Sequence, residues 1–461
     1  MRRTHWVVVV SLLLAVAACS SKASSSSSAK TTGAPAASTS TTAGVPQATE
    51  PLGTGVTPTS IKVGISLVDF TCIEQFVDQI RENQQQIYQV FIDNVNANGG
   101  IDGRQIVPVY HSYCPIGSAP VLTLCTQFTE DDKVFAVFGT FVDFSGDAQT
   151  CLAKDHNTIL MTFQLSQAIM NQSPPGLIIL PGSTPERVDA VLFSLLAQQH
   201  TLDGHKVGVL GEQTSQSIVN GKVLPGLQKL GVPTGSTAIL NITGSDTSAA
   251  QAQLDSFIEK WKTEHVDTVF LSGTDVSSQQ FVEKLRAQMP NVMLLTDIDS
   301  TVIQGYGQQE VTAGRHPNPY QGIITAAGPT SPEYDQSANW AYCSGIYQKA
   351  TGQAPPNAEA VVPGPNGKTL DTYGAINDAC QLVTMFHDIA AKVGANLNVA
   401  NWVTTVNNFG PIRNVGGGPY ASLHAGKYDV DDSFHLLEFD STIPPRGQYK
   451  PITPLQDVPT T

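Results

Sequence analysis

Charged residues are scarce in this chain of 461 residues, and positive charge is the scarcer sign. Lys and Arg number 25 against 39 Asp and Glu, the net charge is −14, and only 14% of the residues are charged. No stretch concentrates Lys and Arg into a basic patch. Because nucleic acids select for basic surfaces, we expect no nucleic acid as a partner. The hydrophobic fraction of 41% and the length suit two compact lobes with substantial cores.

Motifs of common enzymes are also missing. The sequence has no Gly-x-Ser-x-Gly elbow and no His-Glu-x-x-His, and its ten histidines are scattered. Gly53-Thr54-Gly55 precedes the first predicted strand, so we interpret it as linker and not as a nucleotide-binding loop. Cys-x-x-Cys pairs are absent too, which argues against a metal site. We therefore expect no enzyme, no cofactor and no metal, with an extracellular hydrolase as the weakest alternative.

Long apolar runs are confined to the start of the chain. Arg2 and Arg3 precede a short apolar core, residues 7–16, which is too short to span a membrane and predicts a signal peptide over residues 1–18. Val16-Ala17-Ala18-Cys19 resembles a lipobox, the acylation site of bacterial lipoproteins. The resemblance implies that Cys19 is lipidated and anchors the protein at the outer face of the cytoplasmic membrane. The alternative is an ordinary signal peptide with an incidental cysteine.

Large apolar residues are then nearly absent up to residue 60. Residues 19–60 consist mainly of Ser, Thr, Ala, Gly and Pro, which cannot form a core and predict a disordered linker. A flexible chain of this length spans about 35 Å on average. Such a linker would let the folded body reach a membrane partner, and the alternative is a cell-wall spacer, with or without glycosylation.

The stretch from Ile61 to Val109 carries the first strong structural pattern. Residues 61–67 alternate Val, Ile and Leu with smaller residues and predict a strand, and apolar residues three and four apart from Val77 to Val95 predict a helix. Residues 98–100, Asn-Gly-Gly, end this helix, and a second strand follows at 105–111. The unit is β-α-β, which requires parallel strands.

Residues 94–104, Asn-Val-Asn-Ala-Asn-Gly-Gly-Ile-Asp-Gly-Arg, resemble the N..GGI.GR signature of type I periplasmic binding proteins. Within that family they resemble the branch that binds branched-chain amino acids for ABC importers. Strands and helices continue to alternate to about Phe439, which predicts an α/β protein with parallel sheets. The resemblance implies the type I periplasmic-binding fold, with two Rossmann-like lobes joined by a hinge. We expect the first lobe at 61–181 and 328–430, the second at 182–327 and 431–440, and a Pro-rich tail at 441–461.

Six cysteines follow Cys19, an even number that predicts disulfides in an exported protein. Sequence alone allows 15 pairings of six cysteines. In a doubly wound lobe of strand order 2-1-3-4, the loops after the first two strands are neighbours. That order and the predicted helices favour one set of pairs: Cys72–Cys114, Cys125–Cys151 and Cys343–Cys380.

Ligands of open parallel sheets bind beyond the carboxyl ends of the strands. The loops at those ends give the candidate ligand-binding residues: Phe70, Thr71, Phe141, Val142, Asp143, Thr162, Phe163, Gln164, Glu212, Gln213, Thr274, Asp297 and Asp299. For each phenylalanine, packing beneath a loop is the alternative interpretation.

These loops depart from those of amino-acid binders. Relatives that bind amino acids carry Ser/Thr-rich loops that hold the ligand carboxylate, whereas here aromatic residues and Asp143 replace most hydroxyls. The resemblance implies that Asp297 or Asp299 meets a ligand ammonium. We therefore expect an uncharged, cationic or aromatic solute rather than free leucine, isoleucine or valine. On this hypothesis Phe141→Ala would weaken binding more than it lowers the melting temperature.

The predicted function is capture of a small molecule by a monomer, through hinged closure of the two lobes, and its delivery to an ABC transporter permease. A ligand sensor for a membrane signalling partner would have the same binding body. Sequence does not separate the two.

Overall fold

The computed structural model describes residues 47–77, 79–141, 146–163, 165–242, 247–298 and 300–459. Cys19 and most of the linker lie outside this part of the chain. Within it, no helix has both the length and the apolar character that crossing a membrane requires.

Most strands of the described chain lie in two sheets, of which one is parallel and the other is mixed. In chain order they are β1 (Ser60–Val68), β2 (Gln79–Ile80), β3 (Gln105–Tyr113), β4 (Ala136–Phe138), β5 (Ile159–Met161), β6 (Ile178–Ile179), β7 (Val207–Glu212), β8 (Thr234–Leu240), β9 (Thr268–Ser272), β10 (Met293–Thr296), β11 (Ile323–Ala327), β12 (Val362–Pro363), β13 (Thr369–Leu370), β14 (Gly410–Pro411), β15 (Ser422–Leu423), β16 (Ser433–Asp440), β17 (Gln448–Pro451) and β18 (Gln456–Asp457).

Helices separate most of the strands of the two large sheets. They are α1 (Gln84–Ala97), α2 (Ala119–Thr126), α3 (Asp147–Thr150), α4 (Gln167–Met170), α5 (Pro185–Gln198), α6 (Gln216–Ile218), α7 (Leu224–Lys229), α8 (Ser248–Thr263), α9 (Gln279–Gln288), α10 (Ser300–Thr312), α11 (Ser331–Asp335), α12 (Ala338–Thr351), α13 (Thr372–Val393) and α14 (Val399–Asn407).

The first lobe is built on a five-stranded parallel sheet of order β3-β1-β4-β5-β6. Apolar side chains of these strands pack with α1, α12, α13 and α14 in one continuous core. Gly64 in β1 permits close packing, because a Cβ there would lie 2.5 Å from the ring of Phe128. The predicted strand order 2-1-3-4 is confirmed: it corresponds to β3-β1-β4-β5, because the short strand β2 belongs to another sheet.

The second lobe is built on a larger sheet of order β17-β16-β11-β10-β9-β7-β8. Strands β7 to β11 are parallel to one another, and β16 and β17 add antiparallel edges. Two separate apolar cores cover its two faces. Because β17 lies within residues 441–461, part of the predicted Pro-rich tail is a strand of this sheet.

Three segments between residues 180 and 433 connect the lobes. The backbone N–H of Leu180 donates to Tyr428, and that of Val430 donates to the carbonyl of Leu180, so two crossings lie side by side. Buried charges surround them: Arg187 pairs with Asp432 and with Asp429 at 3.5 Å. Breaking such a buried pair is costly, so it holds residues 429–432 against the start of α5.

The structure corrects the predicted start of the first helix. Val77 and residues 79–83 are not helical: β2 pairs Ile80 with Leu370 of β13, and Asn83 adopts a left-handed conformation with φ of 55° before α1 begins. Arg81 binds Asp371 at 2.8 Å and thereby fixes this loop to the start of α13. The apolar periodicity was misleading here because Ile80 packs as a strand residue.

The three disulfides are those that the sequence predicted. Cys72 joins Cys114, Cys125 joins Cys151 and Cys343 joins Cys380, with Cα–Cα distances of 5.9, 6.2 and 5.8 Å. All three lie in the first lobe, and residues 182–327 contain no cysteine.

Candidate functional site

The loop after β1 forms one part of the first lobe's carboxyl edge. Phe70 is half-buried and Thr71 is exposed in a short helical turn, Phe70–Cys72. Asp69 caps this turn, because its carboxylate accepts from the backbone N–H of Thr71 at 2.9 Å and from the Thr71 hydroxyl at 2.6 Å. The turn thus presents Phe70 and Thr71 from a position that the Cys72–Cys114 bond also fixes.

The loops after β4 and β5 form the rest of that edge. Phe141 is only 3% exposed and stacks on Tyr113 with ring centroids 6.4 Å apart. Thr162 is fully buried, whereas Phe163 is half-buried against the core. The burial of Phe141 favours the packing interpretation for that ring and leaves Phe70 and Phe163 as the more accessible aromatic candidates.

The carboxyl edge of the second lobe is acidic. The Glu212 carboxylate accepts from the Thr214 hydroxyl at 2.7 Å and from the backbone N–H of Asp275 at 2.8 Å. Gly273 permits this arrangement, because its φ is +118° and a Cβ there would lie 2.4 Å from the Glu212 carboxyl carbon. Burial raises the pKa of Glu212. Gln213 and Thr274, predicted from the same two loops, are exposed.

Asp297 directly follows β10 and is 4% exposed. One of its oxygens accepts from the Ser272 hydroxyl at 2.6 Å, and the other, Oδ1, has no hydrogen-bond partner in the described part of the chain. Burial raises the pKa of Asp297 to about 7, and the negative charge of Glu212 acts in the same direction. Among the described residues, the hydrogen-bond partner of this carboxylate is therefore a neutral hydroxyl and not a cation.

Two acidic residues near this edge were missed by the sequence analysis. Asp189, in α5, is 1% exposed, and burial followed by the charges of Asp297 and Glu186 raises its pKa well above the ordinary value. Glu186 accepts from the backbone N–H groups of Gln167 at 2.9 Å and Ala168 at 3.2 Å, which connects α5 to α4 of the first lobe. The sequence did contain a signal for Asp189, because this charged residue lies within the apolar stripe of α5.

A cavity of about 220 Å³ lies between the lobes. Gln167, Ala168 and Asn171 line it from the first lobe, and Ser217, Gly221 and Lys222 line it from the second, with Glu186 between them. The cavity is somewhat smaller than the roughly 300 to 1,000 Å³ of typical ligand pockets, and none of the predicted site residues is among those that line it.

Four predicted residues, Val142, Asp143, Gln164 and Asp299, lie outside the described residues. Among the described residues, the one group with metal-ligand spacing is Cys125, Cys151 and His156. Its two sulfurs are joined in a disulfide, so neither is a thiolate ligand.

No family model and no curated protein matches the sequence. Solved structures do match. A solute-binding protein of an ABC transporter from Rhodopseudomonas palustris BisB5, in complex with 3,4-dihydroxybenzoic acid, is 13% identical, with a TM-score of 0.57 over 87% of this chain and 98% of that one.

Two further structures match over a similar length. A substrate-binding protein from Desulfitobacterium hafniense in complex with Leu is 14% identical, with a TM-score of 0.58 over 85% of this chain and 100% of that one. A fatty acid ABC transporter substrate-binding protein from Thermomonospora curvata is 15% identical, with a TM-score of 0.57 over 88% and 95%. The predicted fold class is confirmed: the chain has the two-lobed α/β fold of type I, branched-chain amino-acid-like solute-binding proteins of ABC transporters.

Proposed function

We propose that this protein captures a small molecule between its two lobes and delivers it to the permease of an ABC importer, without chemistry on the solute. The observation that carries the proposal is the cavity of about 220 Å³ between α4 of one lobe and the α6–α7 region of the other. Its lining residues include segments that follow β5 in one lobe and β7 in the other, and open α/β sheets bind ligands beyond the carboxyl ends of such strands. Solute-binding proteins of the same fold, with Leu or 3,4-dihydroxybenzoic acid bound, support it.

The lobes we propose are residues 61–181 with 328–430, and residues 182–327 with 431–440, closing about the crossings near Leu180 and Val430. A solute that contacts both carboxyl edges would stabilise the closed form of the protein. On the second lobe, Asp297 and Glu212 supply carboxyl groups. On the first lobe, Phe70 and Phe163 supply apolar surface. Asp143 and Gln164 of the same lobe remain predicted ligand-binding residues.

The residues at the two carboxyl edges, which are not those that line the cavity, favour an uncharged, cationic or aromatic solute. A free carboxylate would meet several acidic groups at the second lobe's edge, and like charges at close range are unfavourable. An ammonium or amide group would instead find acceptors at Asp297 and Glu212. Leucine, isoleucine and valine in their free forms are therefore poor candidates.

Mass spectrometry of the small molecules released by denaturing natively purified protein tests this function. We expect one stoichiometric solute of the classes above. Stoichiometric leucine, isoleucine or valine would overturn the solute class, and protein that carries no solute and binds none from a library of small metabolites would overturn solute capture.

Anchoring through Cys19 is a separate part of the proposal. Cys19→Ala should move the protein from the membrane fraction to the medium, or leave the precursor uncleaved, because the acyl chains would have no attachment site. Cell fractionation with Cys19→Ala beside the wild type measures this. Retention of the variant in the membrane fraction, with normal processing, would contradict the lipid anchor.

A further inference from the structure

Residues 352–371, between α12 and α13, form a separate element that we call the strap. Within it β12 and β13 pair as an antiparallel hairpin, and β13 pairs with β2. The backbone N–H of Asp371, at the end of the strap, donates to the carbonyl of Ile80 at 2.9 Å. Because β2 lies in the connection between β1 and α1, the strap is attached to the carboxyl edge of the first lobe.

Side chains also hold the strap on the first lobe. The Asn366 amide donates to the Glu74 carboxylate, in the same connection, at 2.6 Å. The backbone N–H of Ala358 donates to Asp335 of α11 at 3.3 Å. Together with the pair that Arg81 makes at the end of the strap, these bonds attach both halves of the segment. The strap therefore moves with the first lobe.

Glu359 carries the strap's contact with the second lobe. This side chain is half-buried, and its carboxylate accepts from two amides of α10, that of Gln304 at 3.3 Å and that of Gln308 at 3.2 Å. The two glutamines are four residues apart, so they share one face of the helix. Since α10 follows β10, the strap connects the carboxyl edges of the two lobes.

The second lobe orients both amides toward this carboxylate. The Gln304 side-chain oxygen accepts from the backbone N–H of Tyr449 at 3.4 Å, which leaves its NH₂ group facing the strap. The Gln308 NH₂ group also donates to the carbonyl of Gly447 at 3.0 Å, and Gln308 is buried. Each oxygen of one carboxylate thus meets its own fixed donor, which is the arrangement of a binding site for a carboxylate.

This contact is sensitive to relative movement of the lobes. Backbone pairing with β2 holds the strap, and the residues at β17 hold the two glutamines, so neither partner can follow the other. A hydrogen bond is lost once donor and acceptor separate much beyond about 3.2 Å. A shift of a few ångströms between the lobes therefore breaks both bonds of Glu359.

We propose that the strap is a latch that holds the two lobes in their closed arrangement through Glu359. Glu359 is then a positioning residue, which acts by fixing α10 against the first lobe. The inference rests on the hinged movement of the proposed function and goes beyond it, because it assigns what keeps the lobes closed. It does not depend on the identity of the solute.

Pulsed EPR between two nitroxide labels tests the latch without a solute. Lys349 of α12 and Gln253 of α8 are exposed and can each be replaced by cysteine for labelling. The Cys19→Ala chain is the background, because its other cysteines are paired in disulfides. After extensive dialysis, Glu359→Ala should lower the ratio of closed to open forms about tenfold, because two hydrogen bonds to a charged group are lost. Asn357→Ala, at an exposed position of the strap, is the matched control and should leave the ratio unchanged.

Gln304→Lys separates a latch from a merely structural role. The substitution places an ammonium group opposite Glu359 and should raise the ratio of closed to open forms about threefold or more. Damage to the fold would not favour the closed form. The gain should disappear when Gln304→Lys is combined with Glu359→Ala.

The same ratio of closed to open forms in the wild type and in Glu359→Ala would overturn the latch. Hydrogen exchange adds a second readout. Faster exchange of the strap in Glu359→Ala, with an unchanged ratio, would mean that Glu359 orders only its own segment, and would also overturn the latch. Solute capture is tested separately by mass spectrometry, so either proposal can fail while the other stands.

Discussion

The two lobes share a fold plan but differ in how their carboxyl edges are built. The first lobe holds all three disulfides and presents aromatic rings, with Phe141 stacked on Tyr113 beneath its loops. The second lobe has no cysteine and presents buried carboxyl groups at Asp297 and Glu212. The first edge is fixed covalently and by packing, whereas the second edge holds buried carboxyl groups whose pKa values are raised by burial.

This difference suggests that the two edges have different roles in solute binding. A solute can be placed by shape against the first edge, where crosslinks limit movement, and selected by charge at the second. The raised pKa values of Glu212 and Asp297 predict that interactions at the second edge depend on pH. Each of the following experiments changes one side of this comparison.

Reduction of the disulfides should have the largest effect. Each bond closes a loop with a sequence separation of 42, 26 or 37 residues. The chain-entropy model gives about 3 to 4 kcal/mol of unfolding free energy for each such loop. Urea unfolding with and without reductant should show this loss in the first lobe. A non-reducing digest should yield the three linked peptide pairs.

The second lobe supplies the control for that experiment. Trp261 is buried there, while Trp340 and Trp402 belong to the first lobe. Variants that keep one reporter at a time should show a large shift for Trp402 and a smaller one for Trp261. Equal shifts for both reporters would mean that the lobes unfold as one unit and would remove this contrast in stability.

Phe141→Ala and Phe163→Ala should separate packing from binding at the first edge. Phe141 is buried, so its truncation should cost about 3 kcal/mol or more of unfolding free energy. Phe163 is half-buried, so its truncation should cost less stability and more affinity. Thermal unfolding and calorimetry with the released native solute measure both. A large loss of affinity with an unchanged melting temperature for Phe141→Ala would restore the ligand role for that ring.

The pH dependence of stability should reveal the second edge. Asp297, Asp189 and Asp431, which follows Val430 at one of the crossings, have folded-state pKa values raised by burial, to about 7 for Asp297 and Asp431. Their unfolded-state pKa values are near 4, so the stability they contribute is full below pH 4 and is lost as pH rises to 7.

Unfolding free energy should therefore fall between pH 5 and pH 7. Carboxyl groups with lowered pKa, such as Asp440 with a pKa of about 2, change stability only in more acidic solution. Asp189→Asn should flatten this fall, and Asp203→Asn, at an exposed position, should not. A flat profile in the wild type would contradict the buried, uncompensated carboxyl groups.

The sequence predicted the sheets well because buried parallel strands form short apolar runs between helices. It failed where a tertiary contact overrides the local pattern. Ile80 has helical spacing yet pairs with Leu370, almost 300 residues away in sequence, and no local signal contains that partner. The helix α10 was missed because residues 300–312 mix Gly, Gln and Thr with few apolar residues.

The candidate site was predicted in part for the same reason. Strand ends are visible in a sequence, so Glu212 and Asp297 were found. Asp189 lies within a helix and reaches the site only through packing of α5 on β11 and β16. The sequence signal for Asp189 is a carboxyl group within an apolar stripe, and this signal does not indicate which strand Asp189 faces.

Calorimetric titration of Asp297→Asn with the solute released from the native protein tests the central claim most directly. If the solute is held between the lobes by the acidic edge, the variant should bind it about tenfold more weakly or worse, because a charge-assisted hydrogen bond is lost. Its melting temperature should not fall, because the substitution removes a buried ionisable group. Unchanged affinity of Asp297→Asn for that solute would contradict the claim.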